Sequence, residues 1–382
     1  MSMIGKTLGH YALSTLIGRG GMGEVYQALE YDLWAIPFDL DTLKPTGTSS
    51  PVIKGVSRGS GIVQYAVSDS ATLVYIPEPP ASKRTLVWVD MEGKEEPLPF
   101  EPRIYSTLNL SPDSKKVVLT VVTHGDEDVW IIDLVGRVQS PLVDNKFWDF
   151  GPHWDSKGQN VFFSILRNRM YEIYSIDADG SGEDTFVFNE PNRSTFVSSV
   201  SADGKTVIYE ISSGMNTDVA ARSTEGEGVS EPLLTKKNIE CNAKMSPDGK
   251  WLAYESNESR QFEVYVCSYP EGDQRKQVSL DGGHDPLWAP DSHELFYRSG
   301  DEIMAASINT TPDLNIGKQR ILFEDKYALL GGRMTWDIDP EGKRFLMAKD
   351  YIDSSAEEGA TLPKINVIVN WFEELKERVP VD

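Results

Sequence analysis

The chain has 382 residues, 40% of them hydrophobic, which is enough to bury a core and long enough for one large domain or two or three ordinary ones. Acids outnumber bases 59 to 37, for a net charge of −22; such a surface repels phosphate backbones and anionic lipid and argues against nucleic-acid or membrane partners. No apolar run reaches the length of a membrane span, and the N-terminus lacks a signal-type apolar region and cleavage site, so a cytoplasmic, reducing location is expected. Cys241 and Cys267 are too few to staple a fold of this size and are expected as buried thiols.

Read from the N-terminus, "LIGRGGMGEVYQA" comes first. Gly18, Gly20, Gly23 and Val25 fit G-x-G-x-x-G-x-V, a loop whose glycines let the backbone lie close over nucleotide phosphates. With its flanks, residues 4–28, the segment resembles the start of bacterial Ser/Thr protein kinases of the eukaryotic-like type. The resemblance implies that a phosphate-holding Lys and an H-R-D Asp should follow. Pro37 stands in "WAIPF" where the Lys belongs, and H-R-D is absent from the sequence. "DFG" at residues 149–151 has no catalytic loop before it and reads as coincidence. A kinase remnant without catalytic body is therefore assigned to residues 1–32, with no cofactor expected.

From Val67 onward one turn-then-strand unit recurs: "VSDSATLVYI", "LSPDSKKVVL", "WDSKGQNVFF", "VSADGKTVIY", "MSPDGKWLAY", "WAPDSHELFY" and "DPEGKRFLM". Its anchors, Asp69, Asp113, Lys157, Asp203, Asp248, Asp291 and Glu341, lie 43 to 50 residues apart. Each Asp-Gly or Asp-Ser pair is a hairpin signal between two apolar runs. Third and fourth strands follow in most units, and four short strands per repeat is the arithmetic of a propeller blade. The expected fold is all-β, a seven-bladed β-propeller over residues 33–370, with eight blades, one incomplete, as the alternative. The N-terminal strands at residues 33–56 are expected to pair with Ile365–Trp371 and seal the ring. Residues 371–382 are expected as a short helix and tail, from the spacing in "NWFEELKER".

"SPDGK" followed by an apolar strand resembles the WD40-like (PD40) repeats of TolB-type propellers. More closely, "DLWAIPFDLDTLKPTG", "RTLVWVDMEGKEEPL" and "INVIVNWFEELKERVP" resemble the C-terminal propeller that some bacterial Ser/Thr kinases carry, over residues 32–380. What the resemblance implies is a sensor or interaction domain, and it leaves an extracytoplasmic parent propeller open.

Candidate chemistry is sparse. "GVSRG" at residues 55–59 matches the hydrolase nucleophile elbow, but a strand rather than a helix follows it. "DADGSGED" at residues 177–184 lacks calcium-loop spacing and reads as a turn. Five scattered histidines carry no metal-ligand spacing, so no metal is expected. Trp154, Trp288 and Trp336 recur just before anchor turns and are expected to pack between blades. One set departs from this background. Arg58, Arg103, Arg193 and Arg333 occupy matched positions about ten residues before their anchors, in loops leading to innermost strands. Such loops ring one mouth of a propeller channel, with Trp148 and His284 in neighbouring loops. Arginine grips carboxylates and phosphates bidentately, so this mouth is the expected binding site for a protein, peptide or small anionic ligand. The function expected is a monomeric, non-catalytic binding scaffold. The alternative is an enzyme, either a vestigial ATP-binding kinase fragment or a metal-dependent propeller lyase.

Overall fold

The fold was obtained as a computed structural model. It describes residues 83–351 except 124–125, 214–215, 225–227, 236, 325–326 and 328–333, together with residues 33, 35, 52–56, 65–68, 70–77 and 365–375. For the remaining strands between Thr7 and Val63, and for residues 376–378, it describes backbone only. The chain forms two compact units, residues 83–352 and residues 1–82 with 353–382.

The larger unit consists of six antiparallel four-stranded sheets. Blades 1 to 5 are each continuous in sequence: residues 104–141, 149–188, 194–234, 240–277 and 284–324. Blade 6 is composite. Its inner strands Trp336–Ile338 and Arg344–Asp350 come from the end of the unit, and its outer strands Arg84–Asp90 and Glu95–Pro97 from the beginning. The innermost strands neighbour one another in order, and Trp336 of blade 6 returns to blade 5 by donating its indole N–H to the Asp285 carbonyl at 3.1 Å.

The repeat turn explains why each blade folds where it does. After the anchor the chain takes a positive φ, between 55° and 74°, at Ser114, Gly158, Gly204, Gly249, Ser292 and Gly342. The N–H of each of these residues closes on a carbonyl three residues back, as from Gly249 to Ser246 at 2.9 Å. This is a type I turn followed by a left-handed residue, which matches the twist of the flanking strands. The serine of "SPD" locks it. Ser246 Oγ donates to Asp248 Oδ1 at 2.5 Å and accepts the Trp251 N–H at 3.0 Å, and Ser111 and Ser201 do the same with Asp113 and Asp203. Asp69 lies outside the described residues.

Between blades the core is apolar, with Leu119, Phe163, Tyr209, Tyr254, Phe345 and Trp336 almost fully buried. The tryptophans pack there as expected and also staple neighbours. Trp154 donates to the Asn109 carbonyl and Trp288 to the Lys244 carbonyl, each at 3.0 Å and each from one blade to the preceding one. Cys241 and Cys267 are buried thiols that are not joined in a disulfide.

The expected closure is corrected by the pairing. Ser50–Ile53 pairs with Leu33–Asp39, and Asn366–Ile368 pairs with Leu73–Tyr75. Arg84–Asp90 instead pairs with Arg344–Asp350 in unbroken antiparallel register. The physical reason lies in "TLVWV": Leu86, Val87 and Val89 are buried on both faces, which suits a strand flanked on both sides. By contrast Val367, in the strand expected to seal the ring, is exposed.

In the smaller unit, Tyr65–Val67, Leu73–Tyr75 and Asn366–Ile368 form a three-stranded sheet that carries the first anchor turn, so the seven repeats make seven sheets. Helix α1, Trp371–Arg378, follows it as expected and buries Trp371 among Leu33, Val52, Val56 and Leu73. Gly18, Gly20, Gly23 and Val25 fall in a hairpin, Thr15–Gly20 with Gly23–Gln27, that pairs on with Leu33–Asp39. No described helix is long and apolar enough to cross a membrane.

Candidate functional site: the channel cavity

The innermost strands of the larger unit surround a cavity of about 280 Å³, and a smaller one of about 140 Å³ shares Leu108, His153, Lys244 and Met334 with it. Several lining residues stand at one end of the strands. Phe150 and Phe196 are second and third in their innermost strands, and Tyr171 and Glu127 are second in their third strands. The aromatic part of the cavity therefore lies towards the end of the channel at which the innermost strands begin, and Leu108, His153, Ser198 and Lys244, each fifth in its innermost strand, line it further along.

One wall is aromatic. Phe150, Tyr171 and Phe196 are half-buried and meet with ring centroids 4.8 to 6.5 Å apart. Leu108, Pro152, Val197 and Met334 extend the apolar surface. The polar side is a network around Lys244 and Glu210. Lys244 Nζ donates to the Ser198 carbonyl at 2.6 Å and to His153 Nε2 at 3.0 Å. His153 Nδ1 stands 3.0 Å from the Gly151 carbonyl. With the proton on Nδ1, Nε2 is free to accept from the lysine. Burial first, and then the Lys244 charge, push His153 down to about 3, so it is neutral. Burial also lowers the Lys244 ammonium, opposed by Asp337, Glu210 and Asp285. Glu210 Oε1 accepts the Asn242 N–H at 2.7 Å and the Ser198 hydroxyl at 3.2 Å. Burial nevertheless pushes Glu210 up to about 7.

Behind this wall sits a second network. Glu255 accepts from Asn242 Nδ2 at 2.6 Å and from the Asp285 N–H at 2.8 Å, and its other oxygen lies 3.0 Å from His284 Nδ1. The bond to Glu255 holds His284 above its usual range. Asp285 is pushed up to about 7 by burial and the Glu255 charge, with Arg298 3.9 Å away opposing. Glu255, Asn242, Asp285 and Arg298 are almost fully buried, while His284 is half-buried, and the network ties the strands of blades 4 and 5 together.

None of the described mouth candidates lines the cavity. Arg103 lies over Trp130, 4.6 Å from the ring centroid, donates to Gln139 and stands 3.9 Å from Glu101. Trp148 donates its indole N–H to Asp126 at 3.1 Å. Arg193 is exposed, with its backbone bridged to Glu190. His284 is held by Glu255. Arg333 and the Arg58 side chain lie outside the described residues. The residues that build the cavity, Phe150, Tyr171, Phe196, His153, Glu210 and Lys244, were missed. Phe150 sits in the "DFG" triplet, whose Asp149 is fully buried with one carboxylate oxygen unpaired. The available signal was the recurrence of aromatics, Phe150 and Phe196, near the start of successive innermost strands. Among the described residues, no three His, Cys, Asp or Glu are grouped to hold a metal.

Residues 68–290, more than half of the chain, match the family model for the TolB beta propeller domain, PD40. A TolB-like protein of Agrobacterium tumefaciens superposes with a TM-score of 0.58 at 18% identity, over 71% of this chain and 99% of that one. TolB of Acinetobacter baumannii gives 0.49 at 14% identity, over 89% and 80%. No curated protein matches the chain.

Proposed function

Because the chain belongs to the TolB β-propeller family, we propose that it is a non-catalytic binding module whose channel cavity receives a small ligand or the tip of a peptide. One observation carries this reading: side chains far apart in sequence converge on one cavity with an aromatic wall and a polar side. Concave, mostly apolar pockets with a few placed polar groups are the usual form of ligand sites. A purely structural channel lining has no need of three aromatic rings left half-buried.

The finer reading, that the propeller derives from the sensor domain of a bacterial Ser/Thr kinase, rests on the resemblance of residues 4–28 and 32–380. On this reading the glycine-rich hairpin is a remnant. Pro37 pairs with Gly23 on the neighbouring strand and brings neither the charge nor the N–H of a phosphate-holding lysine. Phosphoryl transfer depends on such positioning groups, so no phosphotransfer is expected.

A thermal-shift screen with small molecules and short peptides tests the binding reading, run on the native chain and on Phe196→Ala. Compounds that raise Tm in the native chain and lose most of that shift in Phe196→Ala support it. Hits indifferent to Phe196 and to Tyr171→Ala overturn it. Titration with Mg-ATP tests the remnant reading, and saturable micromolar binding lost on Gly20→Asp would refute it.

A further inference from the structure

Resting on that reading, we propose that the cavity takes a small aromatic or apolar carboxylate, its anionic group on Lys244 and its body against Phe150, Tyr171 and Phe196. Three observations lead there. Lys244 is a half-buried ammonium whose hydrogen-bond partners are both neutral, the Ser198 carbonyl and His153 Nε2. An ammonium has three N–H donors, so two partners leave one donor for a ligand. The lysine lines both the larger and the smaller cavity, and so stands where they meet.

The carboxylates nearby do not take this role. Asp337 is committed to Asn109 Nδ2 and to the Leu110 and Ile338 N–H groups, each at 2.8 Å. Glu255 is spent on Asn242, Asp285 and His284. Glu210 receives two donors on one oxygen, and burial shifts its carboxyl towards the protonated form. Asp337, Glu210 and Asp285 favour the charged lysine through space, but its hydrogen bonds go to Ser198 and His153, and an incoming carboxylate adds the direct, charge-assisted pair that these acids do not make with it. Glu127 also lines the cavity and works against an anion, which makes an amine the sharp competing class. The volume, about 280 Å³, is at the small end for ligand sites, so the body is one ring or a short chain.

The test uses three probes of one shape on the full chain: phenylacetate, phenylacetamide and phenethylamine, followed by calorimetry or ligand-observed NMR. Charge-assisted bonds predict that phenylacetate binds about 10- to 100-fold tighter than the amide. That preference is expected to vanish in Lys244→Met, while Phe196→Ala weakens all probes alike. Should Lys244→Met fail to fold, the comparison of probes on the native chain decides by itself. If the amide or the amine binds as tightly as phenylacetate, the carboxylate class is wrong and the cavity reading survives. If no probe binds at millimolar concentration, or none responds to Phe196→Ala, both fall together.

Discussion

Asp149→Asn is expected to stabilise the larger unit above neutral pH and to leave it unchanged in acid. Asp149 begins the innermost strand of blade 2 and is fully buried. One oxygen receives Asn145 Nδ2 at 3.2 Å, and the other has no partner. Burial pushes its carboxyl from 3.8 to about 7; the Asn145 bond and Arg167 pull it down, and the charges of Asp128 and Asp184 push it further up. The folded state therefore prefers the protonated form. Below 3.8 both states hold the proton and nothing is lost. Between 3.8 and about 7 the unfolded chain ionises first, so stability falls as pH rises, and the full loss is present above about 7. The difference corresponds to at most about 4 kcal/mol. Asparagine mimics the neutral acid at every pH. In melts followed by circular dichroism, the variant's Tm advantage grows from nothing in acid to on the order of 8 °C in mild base. Other titrating groups are common to both proteins and cancel in the difference. An advantage that does not grow with pH, or a variant less stable throughout, would refute the reasoning.

Trp288→Phe removes the indole bond between blades 4 and 5 and strands the Lys244 carbonyl, for an expected loss of about 1–3 kcal/mol in urea unfolding. Removing residues 1–97 together with 353–382 takes away both outer strands of blade 6 and bares Arg344–Asp350 as an edge; that form aggregates on size exclusion where one lacking only residues 1–82 and 353–382 does not. Cys241 and Cys267 stay unreactive towards a thiol reagent in the native protein and titrate together on unfolding, because both are buried and burial pushes the Cys241 thiol well above its ordinary range.

What was legible in the sequence is what is local. The Ser-Pro-Asp-Gly turn carries its own instructions: a left-handed residue after the anchor and a serine placed to bond the aspartate. Its spacing therefore exposed the blades. Trp154, Trp288 and Trp336 were legible because they repeat in phase with it. Closure was not, because Leu33–Asp39 and Arg84–Asp90 both read as apolar strands and only long-range pairing tells them apart. The cavity was hidden for a related reason. Its groups occupy unlike positions, Phe150 and Phe196 on first strands, Glu210 on a second and Tyr171 on a third. An alignment of like positions singled out the arginines instead, and Arg103 is already occupied by Trp130 and Gln139.

The composite sixth blade also sets a clock. Arg84 meets Asp350, so on a ribosome the first strand of the blade emerges long before its partner exists. At ordinary elongation rates that wait is on the order of tens of seconds, far longer than the microseconds in which a hairpin forms. During it, blades 1 to 5, each continuous in sequence, have all their own strands to pair with, while Arg84–Asp90, apolar on both faces, stays without its neighbour. A nascent chain of this kind gains from a chaperone that covers one sticky strand until translation has delivered Arg344–Asp350. Slowing synthesis beyond residue 324 would lengthen that exposure without altering any contact of the finished protein.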